Sequence, residues 1–283
     1  MSPSRKAEFL LLLITLIWGS TFAVVKSSLN GVSPLLFLGI RFGIAAIFFP
    51  LIFRKNYFRI DIKTLKGGII VGALLWLGFA LQTIGLKFTT ASKSAFITGL
   101  LVALTPLVQA LVENKSPTRG NIIGIIMIVA GLYLLTSPQG QGLNVGDVLT
   151  FGCSIAFSVY IVYLDIFSKQ HDVSNLTLLQ LIVVSGLSFA ATPFVESASI
   201  RLTIPLVVSF FYLSLFATIF ATYIQTKYQR ETTPTKAAVI FAAEPVFANM
   251  IAFIAFREFV GFLGAVGGAF IISGLLVSEL MDR

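Results

Sequence analysis

Charge is what this 283-residue chain has least of, and the little it has avoids most of its length. Asp, Glu, Lys and Arg make up 11% of the residues, against 57% hydrophobic ones. A water-soluble protein of this size needs a charged exterior, so that class is excluded. The lone cysteine, Cys153, excludes an intrachain disulfide and a cysteine-based metal site. The lone histidine, His171, stands in a predicted loop beside Asp172, where a solvated side chain is expected. No Gly-rich Lys-Ser/Thr loop cradles phosphate, so the chain carries no ATP-hydrolysing motif of that kind. His-Glu-x-x-His and a midplane Asp pair are also missing, which argues against an intramembrane enzyme. No catalytic residue, metal or cofactor is expected.

What the chain has in abundance is long apolar runs. Ten of them, at 9–28, 34–53, 67–86, 94–112, 121–136, 148–167, 176–195, 205–224, 235–256 and 259–278, are each about long enough to cross a bilayer. Lipid offers the backbone no hydrogen-bond partner, so only helices and closed barrels span it. Unbroken runs without period-2 alternation exclude the barrel. The expected fold is an all-α integral membrane protein with ten transmembrane helices. Linkers are short, the Gly/Pro/Gln-rich Ser137–Gly146 included, and none hides a soluble domain. Arg5 and Lys6 precede an apolar run that continues past Trp18 without a small-residue cleavage site, so it reads as a span rather than a signal peptide.

Counting Lys and Arg on alternate sides puts 14 on the side of the termini and 5 opposite (Lys26, Lys87, Lys93, Arg201 and Arg257), with Arg41 inside a span. Both termini are therefore expected in the cytoplasm. The net charge of +8 reflects topology and attraction to anionic lipid. Its short, separated clusters give no reason to invoke nucleic acid.

The halves resemble each other. Gln82-Thr83 matches Gln225-Thr226, and Thr90 to Thr98 matches Thr233 to Phe241, both at a shift of 143. Thr105-Pro106 matches Glu244-Pro245 at 139, a difference of about one helical turn, so an extra turn is expected in the fourth span. Five spans per half is odd, so the second copy is inverted, as in many secondary transporters with midplane substrate sites. The expected units are 1–137 and 146–283.

Trp18-Gly-Ser-Thr-Phe22, Pro34 followed by Arg41-Phe42, the run Gly85 to Gly99 and Glu244-Pro-Val-Phe-Ala248 together resemble the EamA-type proteins of the drug/metabolite transporter superfamily. The resemblance covers essentially the whole chain. It implies two inverted five-helix halves, alternating access and movement of small organic metabolites, often outward, across a membrane expected to be the bacterial inner (plasma) membrane. Thr105-Pro106 departs from the Glu-Pro of the second half, so substrate identity is not carried over.

Glu244 is the residue least suited to lipid. It lies nine residues beyond Thr235, about 13 Å along a helix and close to the midplane. A carboxylate there costs about 2.5–3.5 kcal/mol to insert, so it should face protein or a watery cavity. Either it binds a substrate ammonium or carries a coupling proton, or it is a fixed structural anchor. Pro245 and Pro106 cannot donate their N–H and are candidate hinges or plain kinks. Arg41, about 10 Å below the outer surface, could snorkel, pair with Glu244 or attract an anionic group. A structural or gating role is favoured for it.

Gln82, Gln109, Gln180, Gln225 and Asn249 complete the polar candidates, and Trp18, Thr21, Thr98 and Tyr160 could line a cavity. Gln82 and Gln225 lie near span ends, where an interfacial position is the alternative. For each of these, helix packing competes with substrate contact. The four-apart pairs Gly39/Gly43, Gly68/Gly72, Gly120/Gly124 and Gly264/Gly268 permit close helix contact. Glu113, Asp147, Asp165, Glu196, Arg257 and Glu258 fall at span ends, where solvated or capping roles are the default.

The leading reading is a secondary transporter, an exporter of amino acids or related amphipathic metabolites. Its partners are a small molecule, the lipid bilayer and a possible proton. A channel or a non-transporting membrane subunit is the alternative, although neither symmetric charged rings nor carbonyl rings are evident.

Overall fold

Side-chain caps set where the helices begin. Thr90 accepts from the Lys93 amide at 3.1 Å, and Thr233 accepts from the Lys236 amide at 3.2 Å. Asn144 and Asp147 form a reciprocal capping box, and Asp172 accepts from the Ser174 and Asn175 amides. Each satisfies amides that a helix start leaves without partners.

The computed structural model describes residues 3–53, 60–136, 143–256 and 261–281. Among them the order is α1 (Pro3–Gly19), α2 (Thr21–Ser28), α3 (Pro34–Phe53), α4 (Ile62–Gly85), α5 (Ala91–Gly99), α6 (Leu101–Glu113) and α7 (Arg119–Thr136). Then come α8 (Val145–Gln170), α9 (Val173–Val195), α10 (Ile204–Tyr212), a π-helical segment (Leu213–Phe220) and α11 (Ala221–Tyr228). The chain closes with α12 (Pro234–Phe241), α13 (Glu244–Phe256) and α14 (Gly261–Leu280). No strand occurs among the described residues, only an isolated bridge between Val32 and Ile200. Arg54, Lys55, Arg59, Arg257, Glu258 and part of the 137–146 linker lie outside the described residues, as does the Asn249 side chain.

Eight helical stretches among the described residues are long and apolar enough to cross a membrane. The fifth expected span is the shorter apolar helix Arg119–Leu135, and the ninth is divided between α12 and α13. Large apolar side chains point outward, Leu111 at 83% and Phe194 at 89% exposure. Hydroxyls instead turn inward and donate one turn back, as Thr15 does to Leu11 O and Thr105 to Leu101 O, both at 2.7 Å. This inverted polarity fits an integral, multi-pass membrane protein.

Helix positions recur at one offset. α5 and α6 begin at Ala91 and Leu101, α12 and α13 at Pro234 and Glu244, each pair 143 apart. α4 and α11 end at Gly85 and Tyr228, again 143 apart. The extra turn expected in the fourth span is therefore absent. The counterpart of Glu244 is Leu101, and Pro106 lies inside α6 while the break falls upstream at Leu100. Pro245 behaves as expected: α12 stops at Phe241, whose carbonyl it cannot serve.

α7 and α14 run antiparallel in backbone contact. A Cβ at Gly131 would stand 2.6 Å from the Gly267 carbonyl, and one at Gly124 would stand 2.6 Å from the Gly274 carbonyl. Gly267, not the expected Gly268, makes this contact, for Gly268 meets nothing within 4 Å. α3 and α9 are also antiparallel, Gly39 meeting Phe189 and Gly43 meeting Ser185.

Several span-end residues are not solvated. Asp147 has a 1% exposed side chain and pairs with Lys93 at 2.5 Å while accepting from Thr89 at 2.8 Å. Asp165, also buried, pairs with Lys169 at 2.6 Å. Glu196 accepts from the Leu35 and Leu36 amides at 3.0 Å, capping α3 from a distant loop. His171 shares a hydrogen bond with the Thr64 hydroxyl at 3.1 Å and stacks on Phe167, so it too is held rather than merely solvated.

Candidate functional site

A cavity lies where the broken helices meet. Trp18 and Thr21 flank the break at Ser20 between α1 and α2. Thr98 and Leu101 flank Leu100, while Phe241 and Glu244 flank Ala242-Ala243. All six line the cavity. Interrupted helices at a shared cavity expose backbone groups and polar side chains where lipid cannot reach them. α1 approaches this point closely: a Cβ on Gly19 would stand 2.9 Å from the Glu244 carbonyl.

Arg41 and Glu244 are the charged members of the lining. Arg41 is 2% exposed. Its Nε donates to Thr218 Oγ1 at 2.8 Å and its Nη2 to Ala217 O at 3.4 Å. Its guanidinium lies 5.4 Å from the Phe42 ring centre and 5.3 Å from that of Phe79. These contacts hold a cation away from water without a carboxylate. Glu244 is half-buried in the first turn of α13, where the positive end of the helix dipole favours an acid. Among the described residues no ion pair joins the two, so of the alternatives for Arg41 neither pairing with Glu244 nor snorkelling is the arrangement found.

The uncharged candidates divide. Gln82 lines the cavity and donates to Thr98 Oγ1 at 3.2 Å, and Gln225 lines it while donating to Gln229 Oε1 at 3.1 Å. Tyr160 lines it and donates to Gln180 Oε1 at 2.8 Å. Trp18 donates to Ala217 O at 3.2 Å and meets Phe241 edge-on at 5.3 Å.

Gln109 and Gln180 are not in the lining. Gln109 accepts from the Thr235 amide (3.2 Å) and hydroxyl (2.7 Å), tying α6 to α12. Gln180 donates to Leu176 O and Thr226 Oγ1 behind Tyr160.

Sequence reasoning missed Leu75, Phe79, Leu101, Phe157, Ile161, Thr222 and Phe241. The 143 offset would have found Ile161 as the counterpart of Trp18, and Phe241 as that of Thr98. The same offset puts Val184 opposite Arg41 and Leu101 opposite Glu244. Only Gln82 and Gln225 match in kind, so helix ends that recur at one offset carry a lopsided lining.

A model described as the EamA-like transporter family matches residues 5–137 and 144–280. An uncharacterized transporter of Archaeoglobus fulgidus is 31% identical over 276 residues, 97% of this chain and 86% of the relative. A probable amino-acid metabolite efflux pump of Salmonella typhimurium is 28% identical over 160 residues, 55% of this chain and 52% of the pump. One solved crystal structure shares the fold at a TM-score of 0.83 and 19% identity, covering 98% of this chain and 97% of that one. With almost every residue inside the two matched stretches, this chain belongs to the EamA-like transporter family.

Proposed function

We propose that this transporter is a secondary exporter of small zwitterionic metabolites, amino acids or close relatives, working by alternating access. The observation that carries the substrate class is the cavity that holds Arg41 and Glu244 without an ion pair between them. A zwitterion offers a carboxylate to the first and an ammonium to the second, and replaces water lost by both. An inorganic ion would leave one of the two charges unanswered. The name of the Salmonella relative gives an amino-acid metabolite for that protein, and its 28% identity over 160 residues lends support to the same class here.

Ten crossings in two inverted halves, 1–137 and 146–283, with both termini cytoplasmic, form the frame of this mechanism. The recurrence of helix ends at 143 residues supports it, as does the antiparallel pairing of α3 with α9 and α7 with α14. Rocking of the halves exposes the midplane cavity to each side in turn. The breaks at Ser20, Leu100 and Ala242-Ala243, the last beside Pro245, are the hinges this reading uses; Pro106 contributes within α6. Glu244 serves as the ammonium partner and, when the site is empty, as a place for a coupling proton.

Counterflow in liposomes tests the reading. Labelled amino acid should accumulate transiently against unlabelled internal amino acid and saturate with concentration. Flux that never saturates indicates a pore, and absence of flux for every zwitterion removes the substrate class.

A further inference from the structure

The π-helical segment Leu213–Phe220 interrupts an otherwise α-helical rod at the level of the cavity. At its C-terminal end the Ala221 amide donates to Phe216 O, five residues back, and to Thr218 O, three back, and not to Ala217 O, four back. The Ala217 carbonyl is thus not the acceptor of the Ala221 amide, its partner in a regular α-helix. Two cavity side chains use it: Trp18 Nε1 at 3.2 Å and Arg41 Nη2 at 3.4 Å. On the next residue Thr218 Oγ1 accepts from Arg41 Nε at 2.8 Å, and one turn earlier Ser214 Oγ donates to Arg41 O at 2.9 Å. Both ends of Arg41, backbone and guanidinium, are thus fastened to the π segment. A regular α-helix would return Ala217 O to Ala221 and turn Thr218 away from this register.

We propose that the π segment is the cradle that aims Arg41 into the cavity, and that Thr218 is its positioning residue for the carboxylate of the substrate. The proposal rests on the zwitterion reading above. Thr218 does not touch substrate; it fixes the guanidinium plane so that the remaining N–H donors face the cavity. Losing it leaves Arg41 charged but misaimed, which weakens carboxylate recognition and not the turnover of the bundle.

Two readouts test this in full-length protein. In counterflow with a zwitterionic amino acid, Thr218→Val should raise KM about tenfold with Vmax little changed, the scale of one hydrogen bond to a charged group. Thr218→Ser should restore KM, and Thr218→Val should add nothing further in an Arg41→Gln background. Equal KM for wild type and Thr218→Val, or a Thr218→Ser variant as impaired as Thr218→Val, overturns the proposal. Should Thr218→Val not fold, Thr218→Cys, which keeps the volume and weakens the acceptor, is read in the same way.

The second readout needs no transport. With isotope-labelled arginine, the Arg41 Nε–H resonance, assigned by its loss in Arg41→Lys, should resist solvent exchange in wild type and Thr218→Ser but exchange freely in Thr218→Val. No such difference overturns the cradle whatever the flux. Protection that follows the hydroxyl, in a protein that moves no amino acid, supports the cradle and overturns the substrate reading instead.

Discussion

Arg41 and Glu244 face the same cavity, yet Arg41 spends its hydrogen bonds on Thr218 and Ala217 and none on Glu244. Each charge is therefore stabilised separately, one by hydroxyl, carbonyl and aromatic faces, the other by a helix start. Opposite charges held apart suit a ligand that carries both signs. Substrates lacking one sign should reveal this. A primary amine without a carboxylate should keep its inhibition constant in Arg41→Gln, whereas the zwitterion itself loses at least tenfold in apparent affinity. Competition assays with matched amine and amino-acid pairs check it.

The α7–α14 contact predicts a sharp contrast between neighbouring glycines. Gly267→Ala must push a methyl group into the α7 backbone at Gly131 and Leu135, costing about 1–3 kcal/mol. Gly268→Ala meets nothing and should leave stability unchanged. Thermal unfolding of both variants in the same detergent provides the comparison.

Asp147 ties α8 to α5 through Lys93 and to the preceding turn through Thr89. Removing the acid breaks the Lys93 ion pair and the Thr89 hydrogen bond together, so Asp147→Ala should lower stability by about 1–3 kcal/mol. Asp147→Asn, which keeps an acceptor for Thr89, should lose less. Ordered melting temperatures of wild type, Asn and Ala variants are the expected result.

Asp61 caps α4 and accepts from the Thr64 amide at 3.0 Å. Hydrogen bonds from Thr64 hold its carboxyl below its ordinary value of 3.8. A depressed carboxyl stabilises the folded state above its unfolded pKa and loses that contribution as pH falls through the lower, folded value. The melting temperature of wild type should therefore exceed that of Asp61→Ala near neutrality, with the gap closing only below about pH 4. A gap independent of pH over that range would show that the charge plays no part.

The membrane class, most span positions and eight of the eleven proposed lining residues were legible because polarity in a lipid environment is rare and expensive. Glu244, Arg41 and the paired glutamines stand out against apolar neighbours before any coordinates exist. Gln109 and Gln180 stand out equally, but which side of a helix faces the cavity depends on partners that the chain does not announce. Leu75 and Phe157 are invisible for the opposite reason, being ordinary apolar residues on helices full of them. The breaks at Ser20 and Leu100 follow Gly19 and Gly99, a signal easily lost among 23 glycines. Pro106 suggested a hinge where α6 is continuous, while Leu213–Phe220 carries no local mark of its π geometry.

Purified protein in liposomes loaded with mixed amino acids, nucleosides, sugars and cationic drugs gives the most direct test, with mass spectrometry of what leaves. Zwitterionic amino acids should leave selectively, and vesicles carrying Glu244→Gln should lose that selective release and any pH dependence of it. Selective release of zwitterions with unchanged pH dependence in Glu244→Gln would contradict the role given to this acid. Release of only non-zwitterionic compounds would contradict the dipolar site itself.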